Sequence, residues 1–426
     1  MKILYVSQYF PPEMGAPAAR AAELSRHWAA AGHQVTVLTG FPNHPTGVVP
    51  PEYRGKIRRL VLREKKEGVN IFRTWLLPFP NRKAHERILN YSSFCVSAAF
   101  RGLFLSRPDV VIATSPQLLV GLSGWWLARW KRVQFVFEVR DLWPESLSAV
   151  GMGDSNSPLH RTLARIAGFL YRRADRIVVV TPAFEDYLVE HWRVPRDKIS
   201  VIENAVETRL FSPEAFSAEA TDLRRELGGE GKFVVSYIGT IGMAHGLEIV
   251  IDAAARLQSS NPEIVFLMVG EGAEKTRIAA LARERGLGNV RFVDQQPREK
   301  IPAYICASDV CLVPLKKTEL FKTVIPTKML EFMSCSRPVI LGVDGQARAI
   351  LEEANGGLAI DPENVDALLI AILCLAGNRG MAQELGRNGR DFIVRRFSRH
   401  QTAERYIRVL DRLLGAPERH SANIAA

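Results

Sequence analysis

The chain is poor in cysteine and has no hydrophobic run long enough to cross a bilayer. Its five cysteines, Cys95, Cys306, Cys311, Cys335 and Cys374, are odd in number and show no C-x-x-C spacing. That excludes a disulfide scaffold and points to reduced, buried thiols in a cytosolic protein. No apolar stretch reaches the roughly 18 residues of a spanning helix. The start, MKILYVSQYF, lacks the charged-then-apolar layout of a signal peptide and reads as a first strand. With no Asp-x-Asp pair and no His/Cys cluster, no metal and no cofactor are expected. Low-complexity tracts are absent too.

What is present suits a two-domain α/β protein. The 426 residues, 47% hydrophobic, are enough for two full cores. The net charge of +11 is uneven: residues 1–200 hold 28 Lys+Arg against 16 Asp+Glu, and the rest hold 28 against 29. The densest part is Arg54 to Lys66, where Arg54, Lys56, Arg58, Arg59, Arg63, Lys65 and Lys66 face Glu64 alone. Such a patch suits nucleic acid, an anionic membrane face or a diphosphate-bearing lipid. Nucleic acid would call for interleaved aromatics, and only Tyr53 is near.

In chain order, a buried strand, a Pro-Pro-Glu-Met-Gly loop, a helix over Ala18 to Ala31 and the strand QVTVLTG make a β-loop-α-β opening. The single Gly15 of that loop is far short of G-x-G-x-x-G, yet it lets backbone approach a substrate at a strand's carboxyl end. Residues 41–80 read as irregular. The helices Ala84 to Leu105 and Leu118 to Lys131 carry apolar faces, the second with Trp125, Trp126 and Trp130 beside Arg129, Lys131 and Arg132. They suit either an interfacial helix lying in a leaflet or ordinary packing on a sheet. QFVFEVRDLWPES is a strand whose end carries Arg140, Asp141, Trp143 and Glu145. Asp141 there suits a general base accepting from a ligand hydroxyl, or a brace for a bound sugar; capping the next turn is the plainer alternative.

The strand ADRIVVVT, KISVIENAVETRLF and a polar linker over residues 206–231 follow; the second domain restarts as FVVSYIGTIGMAHGLEIVIDAAARL. Its loop, with Gly239, Gly242 and Gly246, can present backbone N–H groups. The organising stretch is TELFKTVIPTKMLEFMSCSRPVILGV, residues 318–343: a loop, a helix opening at Pro326, a turn and a buried strand. Lys328 and Glu331 lie three apart, one turn into a positive helix end that favours an anion. Glu331, an acceptor-only carboxylate, suits the paired hydroxyls of a sugar.

This stretch resembles the signature of family 4 glycosyltransferases of GT-B fold: a Glu, seven residues, a second Glu leading an apolar helix, then a Pro-Val strand. Glu331 matches the second Glu, which in the family binds ribose; the first falls at position 323, occupied here by Thr323, with Glu319 and Lys322 nearby. The family's diphosphate-gripping Arg and Lys fall at Thr240 and His245, so the resemblance leaves that charge to Lys328 and Lys322. The wording PTKMLE is similar to the branch building bacterial O-antigen and other surface polysaccharides, especially N-acetylfucosamine (FucNAc) transferases.

The resemblance implies two Rossmann-like domains facing across a cleft: residues 1–205, joined by a crossing helix at 396–415, form the acceptor side, and 206–395 the donor side. It further implies retaining, metal-independent transfer from a nucleotide-sugar, UDP-linked by branch similarity. The acceptor would be a polyprenyl diphosphate-linked saccharide at the inner membrane's cytoplasmic leaflet, the enzyme being peripherally attached there. Asp141 and Lys328 carry catalysis; Gly15, Gly242, Lys322, Thr323, Lys328 and Glu331 hold the donor; Arg58, Arg59, Lys65, Lys66, Trp125 and Trp126 meet acceptor or membrane. Two readings compete: a sugar-nucleotide 2-epimerase of the same fold, and a basic nucleic-acid binder. The tail from Gly415 is expected to lack fixed structure.

Overall fold

Short Val/Ile/Phe-rich runs separated by amphipathic stretches become strands alternating with helices. The computed structural model describes residues 1–44, 47–79, 84–146 and 157–415, so the expectation for the tail lies outside the described residues. The chain forms two units: Met1–Glu203 with the chain from His400 onward, and Asn204–Arg399. The expected boundaries at 206 and 396 thus shift to 204 and 400. Val206 and Ser398 pair in a parallel bridge, which ties both connections into the second unit.

The first unit carries β1 (Lys2–Val6), β2 (Gln34–Gly40), β3 (Val61–Lys66), β4 (Val69–Thr74), β5 (Val110–Thr114), β6 (Gln134–Val139), β7 (Arg176–Val179) and β8 (Ile199–Val201). Their order is β3-β4-β2-β1-β5-β6-β7-β8. All pairs are parallel except β3 with β4. This hairpin corrects the irregular reading of residues 41–80. Glu67 (φ +50°) and Gly68 (φ +80°) form the two-residue turn whose backbone twist matches flanking strands. The basic patch therefore lies on a turn, Ile57–Arg59, and on an edge strand, where lysines oppose sheet-to-sheet association. The final helix, Arg399–Leu414, sets Tyr406 edge-on to Trp28 at 5.1 Å, and the Trp28 indole donates to the Ala403 carbonyl at 3.2 Å.

The second unit carries β9 (Phe233–Ile238), β10 (Ile264–Val269), β11 (Val290–Val293), β12 (Val310–Pro314), β13 (Val339–Gly342) and β14 (Gly357–Ala359). They order as β11-β10-β9-β12-β13-β14, all parallel. This is a doubly wound sheet whose order reverses between β9 and β12, the place where such sheets bind ligands. Residues 206–231 are not a plain linker: Ser217–Glu226 is a helix, and Phe211 is fully buried in the core.

The first unit's core holds an ion pair. Arg20 donates to Glu138 Oε1 from Nε (3.0 Å) and Nη2 (2.8 Å), and to the Ile202 and Glu203 carbonyls at 3.0 Å each. The Tyr5 hydroxyl donates to Glu138 Oε2 at 2.8 Å. Burial pushes the Glu138 carboxyl up, but the charges of Arg20 and Arg140 outweigh it and hold the group below the usual carboxylate range. Removing one member strands a buried charge. Glu138→Ala should cost about 3–5 kcal/mol in urea unfolding and Tyr5→Phe about 1 kcal/mol. An unchanged midpoint for Glu138→Ala would show that the network holds nothing.

Candidate active site

In the second unit the site forms where β9 and β12 diverge. Helix Thr327–Ser334 starts after Pro326 and buries Met329, Leu330 and Met333 against the sheet, which leaves Lys328 on its other side. Lys328 Nζ lies 4.1 Å from the centre of the Tyr237 ring and donates to its hydroxyl at 2.9 Å; that hydroxyl donates in turn to the Thr240 carbonyl. Gly239, at φ +144°, makes this approach possible: a Cβ there would sit 2.9 Å from Nζ. Burial pulls the Lys328 amine down to about 7, partly opposed by Glu331. His245 packs edge-on to Tyr237 at 5.7 Å, its Nδ1 3.4 Å from the Pro314 carbonyl oxygen. Burial, then the Lys328 charge, pulls His245 down to about 3, so it is neutral at pH 7. The result is a desolvated ammonium at a glycine loop and a helix start, suited to an anion such as a diphosphate.

Glu331 is buried and accepts from Arg298 Nη1 at 2.9 Å, while the Arg298 guanidinium lies over the Phe211 ring at 4.9 Å. The expected ribose ligand is therefore an oriented carboxylate with a cation beside it. Lys322 Nζ pairs with Glu319 at 2.6 Å on the turn Leu320–Thr323. Thr323 spends its hydroxyl on the Leu320 carbonyl at 2.7 Å. Gly242 has an ordinary φ of −127°, so its value lies in its backbone N–H. Tyr237 and Arg298 were missed; a tyrosine near the carboxyl end of the buried strand FVVSYI was the signal for the first.

In the first unit, Gly15 caps helix Ala16–Ala30 at φ +124°. Beside it the buried Glu13 accepts from the Asn43 and His44 amides at 3.0 Å each, fastening the loops after β1 and β2. Burial pushes the Glu13 carboxyl up to about 7, tempered by these amides. Asp141, just past β6, is half-buried, and burial pushes it up to about 6 against the pull of Arg140. Among the described residues, several buried polar atoms on the loops that follow the strands here have no protein partner: Gln8 Oε1, Gln117 Nε2, Arg140 Nε and Nη1, Trp143 Nε1 and Glu145 Oε2. They follow β1, β5 and β6 at this sheet's own reversal point. Orphaned donors and acceptors in one place suit a polyhydroxylated ligand. Gln8 and Gln117 carried no signal in the sequence.

The expected membrane residues do not form one patch. Arg58, Lys65 and Lys66 are exposed on the turn and edge strand, and Arg59 shares that turn. Trp125 packs edge-on to Phe169 at 4.8 Å, and Trp126 lies exposed near Trp130. The tryptophans belong to helix Val120–Lys131, over the middle of the sheet. Four strand spacings separate β3 from β5, about 20 Å.

Comparison with known proteins agrees with this architecture. Residues 15–205 match the glycosyl transferase 4-like domain model and residues 219–392 the glycosyl transferases group 1 model, together most of the chain. The chain is 26% identical over 384 residues to the colanic acid biosynthesis glycosyl transferase WcaI of Escherichia coli K12, covering 87% of this chain and 91% of that protein. It is 27% identical to the glycosyltransferase WbjE of Pseudomonas aeruginosa over 63% of this chain and 66% of that one. Among solved structures, sucrose-phosphate synthase of Thermosynechococcus elongatus superposes with a TM-score of 0.76 at 22% identity, covering 98% of this chain and all of that one. Fold and family models together define a glycosyltransferase of GT-B fold. The chain belongs to family 4 of that class.

Two substitutions in one loop test the donor geometry. Gly239→Ala places a methyl against Lys328 and should weaken nucleotide-diphosphate binding at least about tenfold by calorimetry. Gly242→Ala keeps its amide and meets only the Thr240 methyl at 3.5 Å, so affinity should stay within about twofold. Equal behaviour of the two variants would contradict the placement.

Proposed function

We propose that this glycosyltransferase moves a sugar, with retention and without a metal, from a UDP-linked donor on the second unit to a polyprenyl diphosphate-linked saccharide on the first. The process is assembly of a bacterial surface polysaccharide, and the enzyme works at the cytoplasmic face of the inner membrane. The carrying observation is Lys328, held desolvated on Tyr237. Support for the pathway comes from relatives named for colanic acid and teichuronic acid biosynthesis. A UDP donor is supported by a neighbour of the same fold, HepE of Anabaena, solved with UDP-glucose (TM-score 0.71, 17% identity, 97% of this chain and 100% of that one). For the sugar we favour an N-acetylated deoxyhexose such as FucNAc, on the wording of residues 326–331.

In this mechanism the bond from the sugar's anomeric carbon to the diphosphate breaks while the acceptor oxygen bonds to the same carbon. The acceptor proton passes to an oxygen of the departing diphosphate. Lys328 and the amides at the start of helix Thr327–Ser334 meet the growing negative charge, which lowers the barrier more than it aids ground-state binding. Glu331, oriented by Arg298, takes the ribose hydroxyls. Asp141 accepts from a neighbouring hydroxyl of the acceptor, which holds the attacking oxygen in place, and does so most strongly as the carboxylate.

The test is to incubate the protein with UDP-, GDP- and dTDP-sugars, with and without lipid-linked acceptor. Transfer should need the acceptor and persist in EDTA; product from donor alone would instead indicate an epimerase. Asp141 lies near 6, so the rate should fall as pH drops through about 6. Asp141→Asn should lower kcat at least about tenfold and remove that acid limb. A full-rate variant would remove Asp141 from the mechanism.

A further inference from the structure

Half of the exposed large apolar side chains among the described residues lie on two adjoining helices of the first unit and the turn between them: Ile88, Leu89, Val96, Phe100, Phe104, Trp126 and Trp130. On helix Ala84–Leu103 the positions 89, 96, 100 and 104 recur at seven, four and four residues, one stripe along the helix. Val96, Phe100, Phe104 and Trp130 are 69%, 65%, 65% and 62% exposed. The two helices meet closely: a Cβ at Gly102 would strike Leu127. Lys131 Nζ donates to the Leu103 and Leu105 carbonyls at 3.2 and 2.7 Å, fixing one helix end on the other. The platform is thus built in advance.

Its charge is mostly positive. Helix Val120–Lys131 holds no acidic residue, and Ala84–Leu103 holds Glu86 alone. On one flank Arg63 and Arg101 both lie against the Phe72 ring, at 5.6 and 5.4 Å, so Arg63 and, by strand alternation, Lys65 share this side of the sheet. At the other end, beside Phe104 and Trp130 in the chain, opens a cavity of about 1080 Å³. Arg107, Arg129, Arg132, Arg173 and Trp125 line it. Asp109, Asp175 and Asp411 line it too, fewer than the cations, and the first two accept from the backbone amides of Lys2 and Phe135 at 2.7 Å each.

We propose that this face seats on an anionic phospholipid leaflet, its aromatic stripe entering the acyl boundary and the arginine-lined cavity receiving lipid headgroup phosphates. An apolar stripe flanked by cations is what an interfacial helix pair needs. A helix of 20 residues is about 30 Å long, and its amino end lies toward the carboxyl ends of the strands, so a protein lying along it keeps that substrate end at membrane level. The proposal deepens the membrane reading above but relocates it: Trp130, Phe100 and Arg129 replace Arg58 and Lys66.

The test is flotation of the full chain with phosphatidylcholine vesicles containing or lacking phosphatidylglycerol. Wild type should float with the anionic vesicles only. Phe100→Ser with Trp130→Ser should lower the partition coefficient at least about tenfold. Arg107→Gln, Arg129→Gln and Arg132→Gln together should do so at low salt. Arg58→Gln with Lys66→Gln should leave binding within about twofold. UDP binding, which resides in the other unit, and circular dichroism report folding of each variant. Vesicle indifference of wild type, unchanged flotation of the platform variants, or a stable dimer that loses its contacts on Trp130→Ser would overturn the proposal. Transfer to a short-chain soluble acceptor, measured separately, shows whether the glycosyltransferase reading stands regardless.

Discussion

The candidate site of the second unit depends on an amine held against an aromatic ring with no side chain in between. Gly239, at φ +144°, adopts a backbone that residues with side chains rarely take, and a Cβ there would crowd Lys328 Nζ to 2.9 Å where it lies against Tyr237. Gly270 must likewise lack one, since a Cβ there would overlap the Gly239 carbonyl. The loops after β9 and β10 therefore nest, and the ring, the amine and His245 are fixed before any ligand arrives. Holding a lysine there lowers its proton affinity, a cost recovered when an anion restores full charge. Thr240 and a neutral His245 stand where the resemblance puts the family's Arg and Lys, and Lys328 lies against the same loop.

The same logic of a charge set by its surroundings governs the first unit. Arg20 and Glu138 neutralise each other at the centre of the sheet and tie β6 to the end of β8. Arg140, next to Asp141 in the chain, has two buried nitrogens without a partner among the described residues. The surplus of basic residues is then divided between an edge strand and the margin of an aromatic face.

How much was legible follows from where each signal sits. Helix Thr327–Ser334 was readable because its proline start, its apolar face and the Lys328/Glu331 spacing are all local. Arg298 was not, because it reaches Glu331 from 33 residues away, and neither was Tyr237, 91 residues from Lys328. The β3–β4 hairpin was hidden by its charge, although Glu67-Gly68 is a turn pair and Val69 and Ile71 alternate inward. Glu138 within QFVFEV was visible as a charge in a buried strand, but its partner Arg20 lies on the first helix. Lys322 and Thr323 were read from their proximity in sequence to Lys328, and in the structure both side chains have local partners, Glu319 and the Leu320 carbonyl.

The most direct test of the account is the titration of Lys328 itself, read by NMR of reductively ¹³C-methylated protein and assigned through Lys328→Arg. Titration near 7 in the free protein, moving upward on addition of UDP, is the predicted result. An amine that titrates near 10.5, as lysines ordinarily do, and that does not respond to UDP would contradict the central claim.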